Sequence, residues 1–355
     1  MNKTIEKIIG EKVEKVVKLH GDASYRIYYR AFISGGNTRI VMQLPEGKSS
    51  ASEEITNYNG EHKELPFIDV ARFLDSLGVR VPEIFQYNAQ ERLLILEDLG
   101  DDLFINHTKP AAIDLYKKAI DLLIKIQNGS GSSNMKCVAM DRSFDETLLN
   151  LEFDHFREYF IEEHVGKKMS PADLKIFEKT TREITKQIIK IPSCFVHRDF
   201  QSKNLIINPD DSLSVIDFQD ALIGPYVYDL VALLRDSYVD LEWPLVEELI
   251  QYYAERSSIK HSPRPSSGQA SAQALNDFHL VTLQRKMKDA GRFIYIDRVK
   301  KNPNFLQYLP TTLRYIKNAF EKANEPIDHA RGKPTNQRTN ELFNILKNYI
   351  PEWKK

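Results

Sequence analysis

The stretch Val196-His197-Arg198-Asp199-Phe200-Gln201-Ser202-Lys203-Asn204 decides the fold of this chain. It leaves one short apolar segment and enters a second, and a third apolar segment ends at Asp217. Three short strands with polar residues at their ends are therefore predicted. Asp199, Asn204 and Asp217 can supply one proton acceptor and two oxygen ligands for a divalent cation.

The motif H-R-D-x-x-x-x-N, followed by Ile216-Asp217-Phe218, is typical of phosphoryl transfer. That reaction needs a carboxylate to accept a hydroxyl proton, oxygen ligands for Mg²⁺ and tight positioning. We therefore predict Asp199 as the catalytic base and Asn204 and Asp217 as metal ligands. A polar turn capped by an aspartate explains an isolated His-Arg-Asp, but it does not explain the complete spacing.

The composition limits the classes of function. The 355 residues include 49 Lys and Arg and 50 Asp and Glu, so no overall attraction to nucleic acid or to an anionic membrane is indicated. No segment approaches the roughly 20 apolar residues of a spanning helix, and the charged N-terminal stretch lacks the apolar core of a signal peptide. The two cysteines, Cys137 and Cys194, indicate free thiols. We expect a cytoplasmic protein that binds neither nucleic acid nor membrane.

Hydrophobic periodicity divides the chain into a strand-rich first part and a helical second part. Apolar residues at helical spacing between Ile5 and Val17 predict an opening helix. Alternating residues then predict strands at 24–32, 38–44, 82–87 and 92–96. After Gly100 the helical period dominates, and the Ser-, Pro- and Gly-rich residues 257–272 predict a mobile loop.

This order of elements predicts an α+β class and a bilobal, protein-kinase-like fold. We expect a small strand-rich N-lobe at residues 1–97 and a larger helical C-lobe at residues 98–355. The N-lobe would carry the nucleotide-phosphate loop and the hinge. The C-lobe would carry the acceptor site and the catalytic loop, which is the stretch from His197 to Asn204. A nucleotide would bind in the cleft between the lobes.

The loop between the opening helix and the next strand is a candidate phosphate loop. Gly21, Ala23 and Ser24 are small enough for backbone N–H groups to approach phosphate oxygens, although an ordinary turn explains the same residues. Glu97 and Leu99 follow the last predicted strand of the N-lobe, where the backbone can bind an adenine edge. These five residues are predicted nucleotide contacts.

A cation for the phosphates is less easily found. Gln43 stands in the strand where many kinases place a phosphate-binding lysine, and we include it among the nucleotide contacts. Because Gln43 carries no charge, Arg26 or Arg39 can compensate. Lys203, one residue before Asn204, is a second candidate phosphate contact beside Arg26, and an exposed loop lysine explains it equally well.

Three stretches resemble the aminoglycoside/choline kinase-like phosphotransferase superfamily: Gly21-Asp22-Ala23-Ser24-Tyr25-Arg26, Val215-Ile216-Asp217-Phe218-Gln219-Asp220-Ala221 and Tyr228-Asp229-Leu230-Val231. Within it they are most similar to bacterial kinases that phosphorylate the anomeric hydroxyl of N-acetylmuramate and N-acetylglucosamine in cell-wall recycling. The resemblance implies a protein-kinase-like fold, Mg²⁺, ATP as phosphoryl donor and a small sugar acceptor. Gln219 stands where protein kinases have glycine, which agrees with the small-molecule group.

Glu152, Asp220 and Arg285 are the predicted acceptor contacts. Carboxylates can bind sugar hydroxyls, although a partly solvated amphipathic helix explains Glu152 equally well. If N-acetylmuramate is an acceptor, its lactyl carboxylate requires a cation, and Arg285 or Arg292 can supply it.

Two other functions stay open at the level of sequence. One is a kinase for another alcohol, such as an aminoglycoside or choline. The other is a nucleotide-binding pseudokinase, which the missing lysine favours and the complete set of Asp199, Asn204 and Asp217 opposes. The acceptor, the choice of ATP or GTP and the oligomeric state are also left open.

Overall fold

A computed structural model of the protein describes residues 2–19, 26–45, 64–108, 112–258, 267–323 and 334–354. Its N-terminal part is a five-stranded antiparallel sheet in the order β1-β2-β3-β5-β4. The strands are β1 (Val13–Lys18), β2 (Ile27–Ile33), β3 (Thr38–Gln43), β4 (Ile84–Asn88) and β5 (Leu93–Glu97).

The predicted opening helix is correct for α1 (Asn2–Ile9) and wrong beyond it. Gly10 adopts a φ of +77°, and its N–H donates to the Glu6 carbonyl at 2.8 Å, which ends α1. The valine-rich β1 then pairs with β2, because β-branched residues favour extended backbone and the ladder satisfies their polar groups. Helical spacing was misleading because α1 and β1 bury apolar residues in the same small cluster, which includes Ile5 and Val13.

The sheet is buried on both faces at its centre. Val41, Leu93 and Ile95 face the cluster under α1. Their neighbours Met42 and Leu94 face the opposite way, into the large core that also contains α2 (Pro66–Ser76) and the helical lobe. This alternation follows from the two-residue period of a strand, and it joins the sheet to the rest of the molecule through one continuous core.

The remainder of the chain is mainly helical. The helices are α3 (Ile113–Ser132), α4 (Glu146–His155), α5 (Pro171–Ile188), α6 (Tyr228–Leu234), α7 (Trp243–Arg256), α8 (Ser267–Lys300), α9 (Leu309–Ala323) and α10 (Pro334–Tyr349). A π-helical segment, Phe156–His164, continues α4, and 3₁₀ turns lie at Phe104–His107, Val138–Asp141, Pro303–Tyr308 and Pro351–Lys354. Two antiparallel strand pairs lie among them: β6 (Ser193–Val196) with β9 (Leu222–Pro225), and β7 (Leu205–Ile207) with β8 (Leu213–Val215).

Helix α8 corrects the predicted mobile loop at 257–272. The prediction was wrong for residues 267–272, which form the first turns of α8, and residues 259–266 lie outside the described part. Alanines at 270, 272 and 274 favour helix and outweigh the Ser and Gly content of this stretch. Helix α8 packs against α4, α7 and α9, which makes it the central helix of the C-lobe.

The predicted α+β class is confirmed. Within the described ranges, no helix combines the length and the apolar character needed to cross a membrane.

Candidate active site

Strand pairing brings the three predicted chemical residues together. Asp199 follows β6, Asn204 directly precedes β7, and Asp217 follows β8 by two residues. Since β7 and β8 are antiparallel, the start of one lies beside the end of the other, and the N–H of Ile216 donates to the Asn204 carbonyl at 3.0 Å. The Asn204 amide also donates to the Asp199 carbonyl at 2.8 Å. All three residues line one cleft of about 640 Å³ between the lobes.

His197 holds the catalytic loop in place. The ring is fully buried; its Nε2 lies 3.1 Å from the Ile216 carbonyl, and its Nδ1 accepts from the N–H of Asp199 at 3.2 Å. Both contacts are satisfied by the neutral ring with the proton on Nε2. Burial lowers the pKa of His197 to about 4, so this neutral form predominates near pH 7.

The buried Asp229 carboxylate stabilises an unfavourable backbone turn directly before Asp199. Arg198 has a φ of 79°, which costs free energy for a residue with a side chain. The Asp229 carboxylate accepts from the N–H of His197 at 2.6 Å and from that of Arg198 at 2.9 Å. Asp217 has a φ of 64°, so the loop before Asp199 and the segment after β8 each contain one such residue. Clustered backbone strain of this kind is typical of functional sites.

Arg285 on α8 contacts the catalytic loop from the interior of the protein. This fully buried side chain donates from Nη1 to the Arg198 carbonyl at 2.7 Å, and its Nη2 lies 3.4 Å from Asp199 Oδ1. Its guanidinium lies over the Tyr228 ring at 4.8 Å. Burial opposes ionisation of Asp199, but the positive charges of Lys288, Arg285 and Arg198 outweigh it and lower the Asp199 pKa to about 2. Asp199 is therefore an anion throughout the neutral range.

Asp217 has the environment of a cation ligand. The pKa of Asp217 is raised to about 6, because burial and the negative charge of Asp199 both disfavour the ionised carboxylate. In the described part of the chain, no group of three or more His, Cys, Asp or Glu side chains is arranged to hold a metal. Mg²⁺ typically takes one or two protein oxygens and completes its shell with water and phosphate. Asn204 and Asp217 fit that mode of binding.

Arg26 is the cation next to this pair. Its side chain is nearly buried and lines the cleft. Nη1 lies 3.9 Å from Asp217 Oδ1, and Nη2 lies 3.8 Å from Asp220 Oδ2. Gln43, by contrast, does not line the cleft and lies 3.3 Å from the Tyr29 hydroxyl. On β3 it is Ile40 that lines the cleft, so Gln43 and Ile40 lie on opposite faces of the strand.

The other predicted nucleotide contacts divide into two groups. Glu97 and Leu99 line the cleft where β5 passes into the C-lobe. The Glu97 carboxylate is bound by Arg80 and by the N–H of Glu83. Gly21, Ala23 and Ser24 lie outside the described residues.

Of Glu152, Asp220 and Arg285, Asp220 lines the cleft. Glu152 is buried, where it pairs with Arg198 at 3.3 Å and accepts from Gln284 at 2.6 Å. Arg285 is buried beneath Asp199. Glu152 and Arg285 therefore contact Arg198 of the catalytic loop and hold the loop in place.

Lys203 lies in the cleft against aromatic rings. Its Nζ is 4.0 Å from the centroid of Tyr238, 5.3 Å from that of Tyr308 and 6.0 Å from that of Phe305. The lysine therefore fills the aromatic face of the cleft next to the catalytic loop.

Helix α8 provides a part of the cleft wall that the motif does not predict. Lys288, Asp289 and Arg292 line the cleft, and of these the sequence indicates Arg292 alone. Together with Arg285 they occupy positions i, i+3, i+4 and i+7, which is one face of a helix. Charged residues at that spacing inside an otherwise buried helix are the signal that could have identified them.

A second omission lies at the junction of the lobes. Arg30 on β2 donates to Asp98 at 2.6 and 3.0 Å and to Asp101 at 2.6 and 2.8 Å. These two carboxylates come directly after β5, so Arg30 links the sheet to the connection between the lobes. Because the contacts span about 70 positions of sequence, no local pattern reveals them.

Known proteins resemble this chain in sequence. The family model described as "Phosphotransferase enzyme family" matches residues 15–266. An N-acetylmuramate/N-acetylglucosamine kinase of Pseudomonas aeruginosa is 27% identical over 312 residues, covering 88% of this chain and 85% of the relative. One of Neisseria meningitidis serogroup B is 28% identical over 300 residues, covering 81% and 82%.

Solved structures share the fold. The choline kinase LicA from Streptococcus pneumoniae superposes with a TM-score of 0.59 at 16% identity, covering 90% of this chain and 99% of the other. An AMP-bound spectinomycin phosphotransferase, APH(9)-Ia, gives a TM-score of 0.60 at 12% identity, covering 92% and 98%. The kinase-like fold predicted from the sequence is thus confirmed. The family match spans well over half of the chain and includes the catalytic loop and Asp217, so this protein belongs to the phosphotransferase enzyme family.

Proposed function

We propose that the protein transfers the γ-phosphate of ATP to the anomeric hydroxyl of an amino sugar, N-acetylmuramate or N-acetylglucosamine or both, in cell-wall recycling. The observation that carries the proposal is the convergence of Asp199, Asn204 and Asp217 on one cleft. The choice of acceptor is supported by two relatives that bear this name and match more than four-fifths of the chain.

Asp199 orients the acceptor and takes its proton. The hydroxyl donates a hydrogen bond to the ionised carboxylate, and the proton transfers as the oxygen–phosphorus bond forms and ADP leaves. A carboxylate with a pKa of about 2 is a weak base toward a free alcohol. It suffices because the attacking hydroxyl becomes strongly acidic as its oxygen bonds to phosphorus.

The metal ligands fit a bound Mg²⁺, which supplies positive charge to the phosphate oxygens. Asn204 provides a neutral oxygen and Asp217 an anionic one. Arg26, within 4 Å of both Asp217 and Asp220, adds a fixed cation on the same side of the cleft. We propose that Arg26 takes the role that a β3 lysine has in other kinases, because its charge reaches the cleft and Gln43 does not line it.

The nucleotide base fits between apolar side chains of the two lobes. Ile40 and Leu96 line the cleft from the sheet, and Ile206 and Ile216 line it from the C-lobe. Next to them, the backbone of residues 97–99 offers polar groups for an adenine edge. We retain Gly21, Ala23 and Ser24 as proposed phosphate contacts, and residue 97 as the proposed boundary between an N-lobe and a C-lobe.

A cationic acceptor such as choline fits this cleft less well. Choline sites depend on aromatic rings that surround a quaternary ammonium. Here the rings of Tyr238, Tyr308 and Phe305 already contact the ammonium of Lys203. A second cation at this wall would be repelled by the first, which favours a neutral or anionic acceptor.

The test is a panel of acceptors with Mg-ATP, with products identified by phosphorus and proton NMR. N-acetylglucosamine, N-acetylmuramate, choline and an aminoglycoside are compared at equal concentration. The proposal expects an α- or β-1-phosphate from one or both amino sugars and no turnover of choline. Phosphorylation at a ring hydroxyl other than the anomeric one, or turnover restricted to choline or the aminoglycoside, would refute it.

A further inference from the structure

One face of α8 forms a wall of the cleft beside the catalytic base. Arg285 fixes the helix to the loop through the Arg198 carbonyl, and Lys288 and Arg292 follow on the same face and line the cleft. With a rise of 1.5 Å per residue, they lie about 4.5 and 10 Å further along the helix axis. An acceptor whose hydroxyl reaches Asp199 can therefore extend along these two side chains, which line the same cleft.

This face carries an excess of positive charge. Between positions 285 and 292, α8 has four cationic residues and one anionic residue, Asp289. The Asp289 carboxylate accepts from the buried Lys286 at 2.7 Å, and Lys286 also bonds to the Ser237 hydroxyl at 3.1 Å. Lys286 therefore compensates the charge of Asp289 within the helix. Lys288 and Arg292 both line the cleft and add positive charge to it.

The surroundings of Arg292 suit a guanidinium that binds an anion. Its guanidinium lies 5.2 Å from the centroid of Tyr295, and that ring packs edge-on against Tyr159 at 5.2 Å. Next to it, Phe293 and Phe305 line the cleft and can contact the apolar face of a sugar ring. An aromatic surface beside a supported arginine favours a ligand with a ring and a carboxylate.

We infer that Arg292, assisted by Lys288, binds a carboxylate on the acceptor, so that the cleft takes an acidic amino sugar in preference to its neutral counterpart. This inference rests on the proposed function and adds its specificity. N-acetylmuramate differs from N-acetylglucosamine by a 3-O-lactyl group that carries a carboxylate. The two sugars therefore differ by the group that Arg292 would bind, and the difference in their kcat/KM measures that contact.

The experiment compares both sugars with the intact protein and three variants. Arg292→Met removes the charge and the fork of donors, and Arg292→Lys retains the charge alone. Arg298→Met is the matched control, since Arg298 lies on the same helix, is half exposed and pairs with Asp297. We expect wild type to favour the acidic sugar. Arg292→Met should lower the ratio of acidic to neutral kcat/KM about 10- to 100-fold through KM for the acid, the range of a lost charge-assisted contact.

The expected results for the other variants are equally specific. Arg292→Lys should keep part of the preference, and Arg298→Met should keep all of it. An unchanged ratio in Arg292→Met, or an equal loss for both sugars, overturns the inference. Calorimetric binding of each sugar to wild type and Arg292→Met is measured in parallel. If neither sugar is phosphorylated, the proposed function fails. Selective loss of binding of the acid would still support the carboxylate site, and absence of such binding would overturn it.

Discussion

The proposed base, Asp199, is held by buried neighbours that contact its loop and its carboxylate. Arg285 contacts both the carbonyl before Asp199 and its carboxylate, and the Asp229 carboxylate holds the preceding N–H groups. These contacts fix the direction of the carboxylate and keep it ionised. The precision of the reaction at this residue is therefore set by buried side chains.

Arg285 is predicted to be a positioning residue. Arg285→Met should lower kcat about 10- to 100-fold while the KM for nucleotide changes little, because a misplaced base loses part of the contribution of general-base catalysis. Loss of the cation also raises the pKa of Asp199, so the acid limb of the kcat profile should move to higher pH. Arg285→Lys should restore the pH profile but not all of kcat. Identical pH profiles in wild type and Arg285→Met would contradict this role.

The lowered pKa of His197 makes the free energy of unfolding depend on pH. Its pKa in the folded protein, about 4, is below the ordinary value of 6.5, so the unfolded chain takes up the proton first and stability falls between pH 6.5 and 4. The shift corresponds to about 3 kcal/mol of unfolding free energy. Asp217 and Asp229, whose pKa values are raised, act in the opposite direction, so wild type is compared with His197→Asn.

Denaturant unfolding of the two proteins at pH 7 and pH 4 gives the difference. The stability advantage of wild type over His197→Asn should shrink by about 3 kcal/mol on acidification. A constant advantage would show that the ring does not titrate as the structure requires.

At the scale of elements, the approach of α8 to α4 depends on one glycine. A Cβ on Gly291 would lie 2.7 Å from backbone atoms of His155 and Phe156, where α4 passes into the π-helical segment. Backbone cannot move aside as a flexible side chain can. Arg285 lies six residues before Gly291 on α8. The close contact at Gly291 therefore also fixes the position of Arg285 against the catalytic loop.

Gly291→Ala should destabilise the protein by about 1–3 kcal/mol and lower kcat, because α8 must shift. Gly131→Ala is the matched control. Gly131 is also helical, in α3, and a Cβ there would meet nothing within 4 Å, so that variant should be neutral or slightly more stable. Thermal unfolding and kcat are measured for both. Equal stability of the two variants would contradict the proposed contact.

Hydrophobic periodicity predicted helices and strands well where a segment kept one period, either helical or alternating, over its whole length. The strands of the N-lobe after residue 24 were recovered within a few residues. It failed at Val13–Lys18, where two elements of different period bury residues in one cluster. It also missed β9, since Leu222–Pro225 is a strand only through its pairing with β6. Such pairings depend on contacts distant in sequence, which periodicity does not contain.

The convergence of the motif residues on one site was easier to predict than the contacts that hold them in place. Asp199, Asn204 and Asp217 follow from the local spacing of a motif, and the structure brings them to one cleft. Glu152 and Arg285 were interpreted as acceptor contacts because polar residues on a helix can face either solvent or a buried partner. Only the packing of α4 and α8 distinguishes these cases.

At the scale of the whole molecule, Arg30 connects the two lobes. Its four hydrogen bonds to Asp98 and Asp101 join β2 to the segment that leaves the sheet. The side chain of Asp98 is only 6% exposed, and Arg30 Nε contacts its carboxylate at 2.6 Å. We expect the contacts of Arg30 with Asp98 and Asp101 to limit how far the two lobes can move apart.

Arg30→Met should lower the unfolding free energy by about 2–4 kcal/mol, because it leaves a nearly buried carboxylate without its cation. Hydrogen exchange at residues 98–103 should also accelerate. Arg39→Met is the control on the neighbouring strand, where the guanidinium lies 4.3 Å from the Phe85 ring and its loss should cost below about 1 kcal/mol. Similar exchange at 98–103 in both variants would argue against a link between the lobes.

The most direct test of the central claim, that Asp199 serves as base in one phosphoryl-transfer site with Asn204 and Asp217, is kcat for Asp199→Asn with Mg-ATP and the preferred amino sugar. The variant should lose about 10²- to 10⁴-fold in kcat, bind ATP like wild type by calorimetry and unfold at a similar temperature. Asp210→Asn, on the exposed turn between β7 and β8, should keep full activity. If Asp199→Asn retains kcat within a few-fold of wild type, Asp199 is not the base and the account is contradicted.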